Sequence, residues 1–323
     1  FFVLSGFLIT WLLLKEREET GDVSLRGFYL RRTLRIFPAY YVMVALSCLN
    51  SYLRLDAWPT GQVVAALTYT VNYWNAFGGT AVGIGEAWSL AVEEQFYLLW
   101  PITFILLARR GPKAIAKGLV AATAVVVLWR SYLVLGVGMP PRYIFQAFDT
   151  RFDNLAVGCL LAVVLLSARA REWAAASARF VWLPLLTAAG VVVSRVGISD
   201  RYHGTVGLTV EAVLLAVLLV QLLLLQPRRL WSWLENPVVR YVGLISYPLY
   251  LYHVFVMHAA HRLAMLPMGV QLLVGVGGSV VLASGSYFLV EKPFLRLKKV
   301  LSERAKRREA SALAPAMLPA VEG

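Results

Sequence analysis

The chain has 323 residues, of which 59% are hydrophobic and only 15% charged, with a mean hydropathy of +0.67. Soluble domains carry about 25% charged residues, so this composition excludes an ordinary water-soluble enzyme and makes the bilayer the solvent. The net charge of +13 does not call for a nucleic-acid partner, because basic residues sit in short clusters between apolar runs, as cytoplasmic loops do.

In chain order, the first run, Phe1 to Leu14, is apolar apart from Ser5, Gly6 and Thr10, and does not begin with Met. Such a length of helix reaches about 21 Å, short of the roughly 30 Å hydrocarbon core. It also lacks the charged start and cleavage site of a signal peptide. The expectation is a chain that begins inside a transmembrane helix, with earlier sequence upstream. Further apolar runs fall at 36–53, 90–108, 114–135, 153–168, 180–196, 206–226, 238–259 and 269–290. A weaker run at 62–77 holds Thr68, Thr70, Asn72 and Asn75.

If 62–77 crosses the membrane, the basic cluster Arg109 to Lys117 lands opposite Lys15 to Arg35. If it is re-entrant or interfacial, five clusters share one face: Lys15 to Arg35, Arg109 to Lys117, Arg169 to Arg179, Arg228 to Arg240 and Lys292 to Arg308. Only Arg54, Arg130, Arg142, Arg151, Arg195, Arg201 and Arg262 of the 31 Lys and Arg are then left elsewhere. The positive-inside rule favours that arrangement. The expected fold is all-α and polytopic, with about nine transmembrane helices, a domain over 1–300 and a cytoplasmic C-terminus. Residues 301–323, basic and then rich in Ala and Pro, are expected to form a disordered tail. Cys48 and Cys159 are too few for a disulfide framework and sit in apolar runs, where they pack. No fixed-period repeat or pair of interrupted helices is visible, which weakens an inverted-repeat transporter.

Charged groups at membrane depth cost several kcal/mol unless paired or hydrated, so each is a functional candidate. Arg31-Arg32-Thr33-Leu34-Arg35 stands at the mouth of an apolar segment that continues through Pro38. On a helix Arg32 and Arg35 share a face at i,i+3, with Arg31 beside Arg35 at i,i+4. Planar guanidinium forks match phosphate oxygens, although positive-inside anchoring is an ordinary alternative. In Trp88 to Pro101, Glu93 and Glu94 open a helix, and Tyr97 lies one turn from Glu93, within reach of its carboxylate. An acidic first turn answering the helix dipole is the plain alternative. Asp149 and Asp153 are one turn apart with Arg151 between them, an acceptor site or an internal ion pair fixing the helix entrance. Ser246, Tyr247, Tyr250 and His253 form a polar stripe; His253 is either a satisfied interhelical partner or a supporting catalytic group. His258 and His261 lack a third ligand at suitable spacing, so no metal is expected. Glu211, Arg130 and Glu291 are further charges near helix ends, and Glu291-Lys292-Pro293 is most simply an interfacial stop.

Six stretches in order together resemble acyltransferase family 3, the OafA-like membrane O-acyltransferases of bacterial surface glycans. They are Phe1 to Thr10, Arg31 to Pro38, Trp88 to Pro101, Thr150-Arg151-Phe152-Asp153, Ser246 to His253 and Val290-Glu291-Lys292-Pro293, spanning nearly the whole chain. The resemblance implies a ten-helix enzyme of the bacterial inner membrane. It would move an acyl group, often acetyl, from cytoplasmic acyl-CoA to a hydroxyl of a glycan, lipid or small molecule. Arg32 and Arg35 would engage the donor's phosphates. The family's first helix carries an Arg and, about ten residues on, a His regarded as central to catalysis; neither is present here. The chain as given is therefore expected to be an inactive fragment. Glu93 and His253 would support catalysis, and Arg151, Asp153 and Tyr250 would bind the acceptor. A polytopic transporter of a glycan or lipid intermediate is the rival reading, and a non-catalytic membrane scaffold a third.

Overall fold

The structure, a computed structural model, describes residues 1–53, 59–79, 84–177, 179–225, 230–261, 263, 265, 267–298 and 300–301. Arg54, Arg228, Arg229, Arg262, Lys299 and the tail from 302 onward lie outside the described residues, as does the side chain of His258. Every regular element among the described residues is helical. The first half holds α1 (Phe2–Thr20), α2 (Leu25–Leu53), α3 (Thr60–Leu67), α4 (Val71–Ala76), α5 (Trp88–Ala108), α6 (Pro112–Tyr132) and α7 (Pro141–Gln146). There follow α8 (Phe152–Val164), α9 (Ala168–Ser177), α10 (Leu183–Val196), α11 (Asp200–Tyr202), α12 (Leu208–Leu225), α13 (Pro237–Leu244), α14 (Ser246–His261) and α15 (Met268–Ser286).

Five stretches are long and apolar enough to cross a membrane: Leu25–Leu53, Gly85–Ala108, Pro112–Val137, Asp200–Leu225 and Met268–Lys298. Counting α8 with α9 and α13 with α14 as single broken spans raises the number to seven. The expectation of nine thus meets five to seven. Two apolar helices make the difference. The last turns of α1 carry Lys15, Glu16, Arg17, Glu18 and Glu19, and the 14 residues of α10 reach only about 21 Å.

The weak run at 62–77 does not form a continuous helix. It breaks at Thr68–Thr70 into α3 and α4, of 8 and 6 residues, each far too short to span. Tyr69 sits there at φ 55, a conformation costly for a side-chain-bearing residue. Gln95 of α5 holds the break, donating to the Tyr69 carbonyl at 2.9 Å and to Asn72 Oδ1 at 3.0 Å.

The chain divides into two compact units, Phe1–Val23 with Ser51–Gly243, and Ser24–Asn50 with the described residues from Leu244 onward. In the first, α1 crosses α8 through reciprocal glycines. A methyl group at Gly6 would meet the Leu155 carbonyl, and one at Gly158 would meet that of Val3. Small residues permit this approach where lipid supplies no hydrophobic drive. Cys159 packs in the same seam, its Sγ 3.4 Å from the Gly6 carbonyl oxygen. Val3, Val157, Ala212 and Ala216 then join α1, α8 and α12 into one core. In the second unit, the Tyr247 and Tyr252 hydroxyls of α14 donate to the carbonyls of Ile36 and Ala39, on either side of Pro38 in α2, at 2.7 and 3.3 Å.

Candidate functional site

The first unit gathers charge where α6, α8 and α12 meet. Arg130 and Asp153, both 0% exposed, face each other with Nη1 at 3.2 Å from Oδ2. Arg130 Nη1 also donates to the Thr150 carbonyl at 2.8 Å, Nε to the Thr205 carbonyl at 2.6 Å, and Nη2 to Thr209 Oγ1 at 2.6 Å. Thr209 in turn donates to Asp153 Oδ2 at 2.5 Å. A buried ion pair survives in low dielectric only when its remaining donors and acceptors are met, and here they are. Asp153 therefore pairs with Arg130 from another helix rather than with Arg151, two residues before it.

Arg151, the residue that leads into α8, is 8% exposed. Its guanidinium carbon lies 4.9 Å from the Phe145 ring centre, 5.4 Å from that of Phe2 and 6.0 Å from that of Trp88. Its Nε and Nη1 are buried without a hydrogen-bond partner among the described residues. Arg195 shares the Phe145 ring at 5.4 Å but is paired with Glu211 at 3.4 Å. His203 completes that second cluster, its Nδ1 3.1 Å from Glu211 and its Nε2 2.9 Å from Arg195.

Glu93, 2% exposed, accepts a hydrogen bond from the Tyr97 hydroxyl at 3.2 Å, one turn away as the spacing predicts. The Tyr97 hydroxyl also meets Ser5 of α1, and Trp100 Nε1 donates to Thr10 at 2.9 Å. A polar seam thus runs down the α1–α5 contact. Asp149 sits in the short turn before Arg151. It accepts from Trp129 Nε1 at 2.7 Å, from Tyr143 at 3.1 Å and from Tyr73 at 3.2 Å. Burial, and then the Asp149 charge, push the Tyr73 and Tyr143 phenols up to about 12.

Arg32, Arg35, Tyr250 and His253 belong to the second unit. Arg31, Arg32 and Arg35 lie on α2 within electrostatic reach of Lys298, and Arg35 of the buried Glu291. His253 Nδ1 lies 2.8 Å from the Tyr250 carbonyl. A carbonyl can only accept, so Nδ1 carries the proton and Nε2 is left as the basic nitrogen. Among the described residues no three His, Cys, Asp or Glu converge as metal ligands. Of the site side chains named above, Tyr73 lines the first of two surface grooves, of about 510 and 850 Å³.

The sequence, from its first to nearly its last described helix, matches one family, described as an acyltransferase domain, over residues 1–289. The chain belongs to the acyltransferase 3 family. Among curated relatives, the peptidoglycan O-acetyltransferase OatA of Listeria monocytogenes is 33% identical over 177 residues, which are 51% of this chain and 28% of that protein. A Bacillus subtilis protein, YrhL, named as a candidate peptidoglycan O-acetyltransferase, is 29% identical over 319 residues, 91% of this chain and 49% of that protein. A candidate O-acetyltransferase of Staphylococcus aureus (strain COL) is 26% identical over 314 residues, 91% of this chain and 51% of its own. The chain spans about half or less of the length of these relatives. No solved structure matches it.

For this acyltransferase 3 chain the structure brings Glu93, Arg151 and Asp153 into one unit and Arg32, Arg35, Tyr250 and His253 into the other. Arg130, singled out in the sequence as a further charge near a helix end, is the partner of Asp153, a pairing that spacing alone does not give. Arg130 stands near the end of an apolar helix, and its charge at membrane depth was the one available signal.

Proposed function

We propose that this acyltransferase 3 chain is the membrane part of an O-acyltransferase that takes an acyl group, often acetyl, from cytoplasmic acyl-CoA and passes it to a hydroxyl, as on a cell-envelope glycan. The observation that carries the reading is the family match over residues 1–289, joined to the basic cluster on α2. Arg32 and Arg35 hold the phosphates of the donor, with Arg31 and Lys298 adding charge to the same anion site. Guanidinium–phosphate contacts are charge-assisted and geometrically selective.

The acceptor oxygen attacks the thioester carbonyl carbon, the C–S bond breaks, and the thiolate leaves with the electron pair. The acceptor proton must go to a base. Glu93 and His253 support that transfer by holding protons and dipoles in place, His253 through Nε2. Arg151 and Tyr250 are assigned to acceptor binding, each within its own unit, while Asp153, occupied by Arg130 and Thr209, positions the entrance of α8. Nine crossings follow if α1 and α10 are counted with the seven spans, which supports a cytoplasmic C-terminus in a bacterial inner membrane, since the basic clusters then share one face.

The test is binding of labelled acetyl-CoA to the chain in nanodiscs, with 3′-dephospho-CoA as competitor. Arg32→Ala and Arg35→Ala should each weaken acetyl-CoA binding by more than about tenfold, the scale of a lost charge-assisted pair. Unchanged affinity in both variants would remove the donor role of the arginines.

A further inference from the structure

We propose that Arg151 is the receptor for an oxyanion on the acceptor, so that the hydroxyl being acylated belongs to a molecule bearing a carboxylate or a phosphate. The inference rests on the acceptor side of the O-acyltransferase reading and names the chemistry that side selects.

Three observations carry it. The first is charge pairing within the cluster. Arg130 is matched by Asp153 and Arg195 by Glu211, and each carboxylate is thereby engaged. Arg151 is the cation they leave over. The second is burial. At 8% exposure, with Nε and Nη1 shielded and unpartnered among the described residues, Arg151 carries a desolvation cost that no hydrogen bond at those two nitrogens offsets. Uncompensated buried charge costs several kcal/mol, and arginine does not escape by losing its proton. The third is the setting. Phe2, Trp88 and Phe145 present ring faces at 4.9–6.0 Å, which attract the cation and hold it without using its N–H groups. Aromatic faces hold the guanidinium in place while its donors stay available.

The rings also favour a sugar over a compact inorganic ion, since aromatic side chains offer flat apolar area beside a polar handle. An anionic saccharide, carrying its charge as a carboxylate or a phosphate ester, satisfies both parts of the site. Neutral sugars leave the guanidinium unpaired and are disfavoured for the same reason that any site built to pair a polar group rejects a ligand lacking it.

The experiment measures Kd for glucuronate, glucose 1-phosphate and glucose with the chain in neutral-lipid nanodiscs, by intrinsic tryptophan fluorescence, with Trp88→Phe assigning the signal. Glucuronate or glucose 1-phosphate should bind at least about tenfold tighter than glucose, as a charge-assisted bond predicts. Arg151→Gln should bring that ratio to about one, and Arg151→Lys should leave it between the two. Equal affinities in the wild-type chain overturn the proposal, as does a preference that survives Arg151→Gln. If Arg151→Gln does not fold, the wild-type ratio and the Arg151→Lys ratio decide. Repeating the series in nanodiscs containing phosphatidylglycerol separates the lipid headgroup as a source. Should the anionic lipid alone act on the site, with neither sugar anion preferred, the acceptor assignment fails. Because binding is read without CoA or turnover, a failure here leaves the donor assignment standing, and lost donor binding leaves this one standing.

Discussion

Arg130 and Asp153 form an ion pair from which solvent is entirely absent, and the pair ties α6 to the start of α8. Its neighbours Thr150, Thr205 and Thr209 take the remaining donors. Such an arrangement fixes geometry more than it adds stability, because two desolvation costs stand against one attraction.

Breaking the pair from one side strands the other charge. Arg130→Met alone, or Asp153→Leu alone, should destabilise the chain by about 3–5 kcal/mol. Combining them should recover much of that loss, since no uncompensated charge remains. A reversible SDS unfolding series on the two single variants and the double variant measures the coupling; additive losses would show that the pair is not the linkage described.

Around Asp149 the prediction is one of pH. Tyr73 and Tyr143 titrate at about 12 in the folded chain, against about 10 when unfolded. Their contribution to stability is fully present below pH 10, where both states keep the proton. It falls as pH rises from 10 through 12, because the unfolded state ionises first. Absorbance near 295 nm should show both phenols ionising late, identified by Tyr73→Phe and Tyr143→Phe. Asp149→Asn should bring both part of the way back, as burial is the larger cause. Phenols ionising near pH 10 in the folded chain would refute the contact.

Charge on α2 should be read by salt. Arg35→Ala and Lys298→Ala should each weaken acetyl-CoA binding, and the deficit should shrink as ionic strength rises. Screening acts within about 10 Å at 0.1 M, so titration between 0.05 and 0.5 M KCl, roughly spanning that regime, is the check. A deficit independent of salt would point to packing instead.

The α1–α8 crossing makes a steric prediction. Gly6→Ala and Gly158→Ala each put a methyl group against a backbone carbonyl that cannot swing aside. Overpacking of this kind costs about 1–3 kcal/mol. Gly243→Ala, where a methyl group meets nothing, is the control. Thermal unfolding of the three in detergent should separate the first two from the third.

Local spacing made parts of this site legible. Glu93 and Tyr97 at i,i+4 do bond, and Arg32 and Arg35 do lie on one helix. For 62–77 the distribution of Lys and Arg favoured a segment that does not cross, and α3 and α4, of 8 and 6 residues, are each too short to span. What spacing could not supply was pairing across helices. Arg130 meets Asp153 across a sequence separation of 23 and two helix ends, and nothing in a one-dimensional pattern selects it over Arg151. The aromatic setting of Arg151 draws on Phe2, Trp88 and Phe145, three separate stretches brought together by packing. Span counting met a different obstacle. Composition registers apolar character but neither helix length nor bends: α10 is only 14 residues long, and the single run at 238–259 covers α13 and α14, between which the backbone bends by 73°.

The reciprocal glycines also bear on how the chain is made. Cys159 and Gly6 stand 153 residues apart, so α1 has left the ribosome's active centre long before α8 has been synthesised. At about 5–20 residues per second the wait is roughly 8–30 s. During it α5 becomes available to the Ser5 and Thr10 hydroxyls, while the glycine face of α1 lacks the α8 backbone it packs against. Arrival of α8 is therefore the event that closes the glycine seam, and a ribosome halted before that point would leave α1 with α5 alone to lie against.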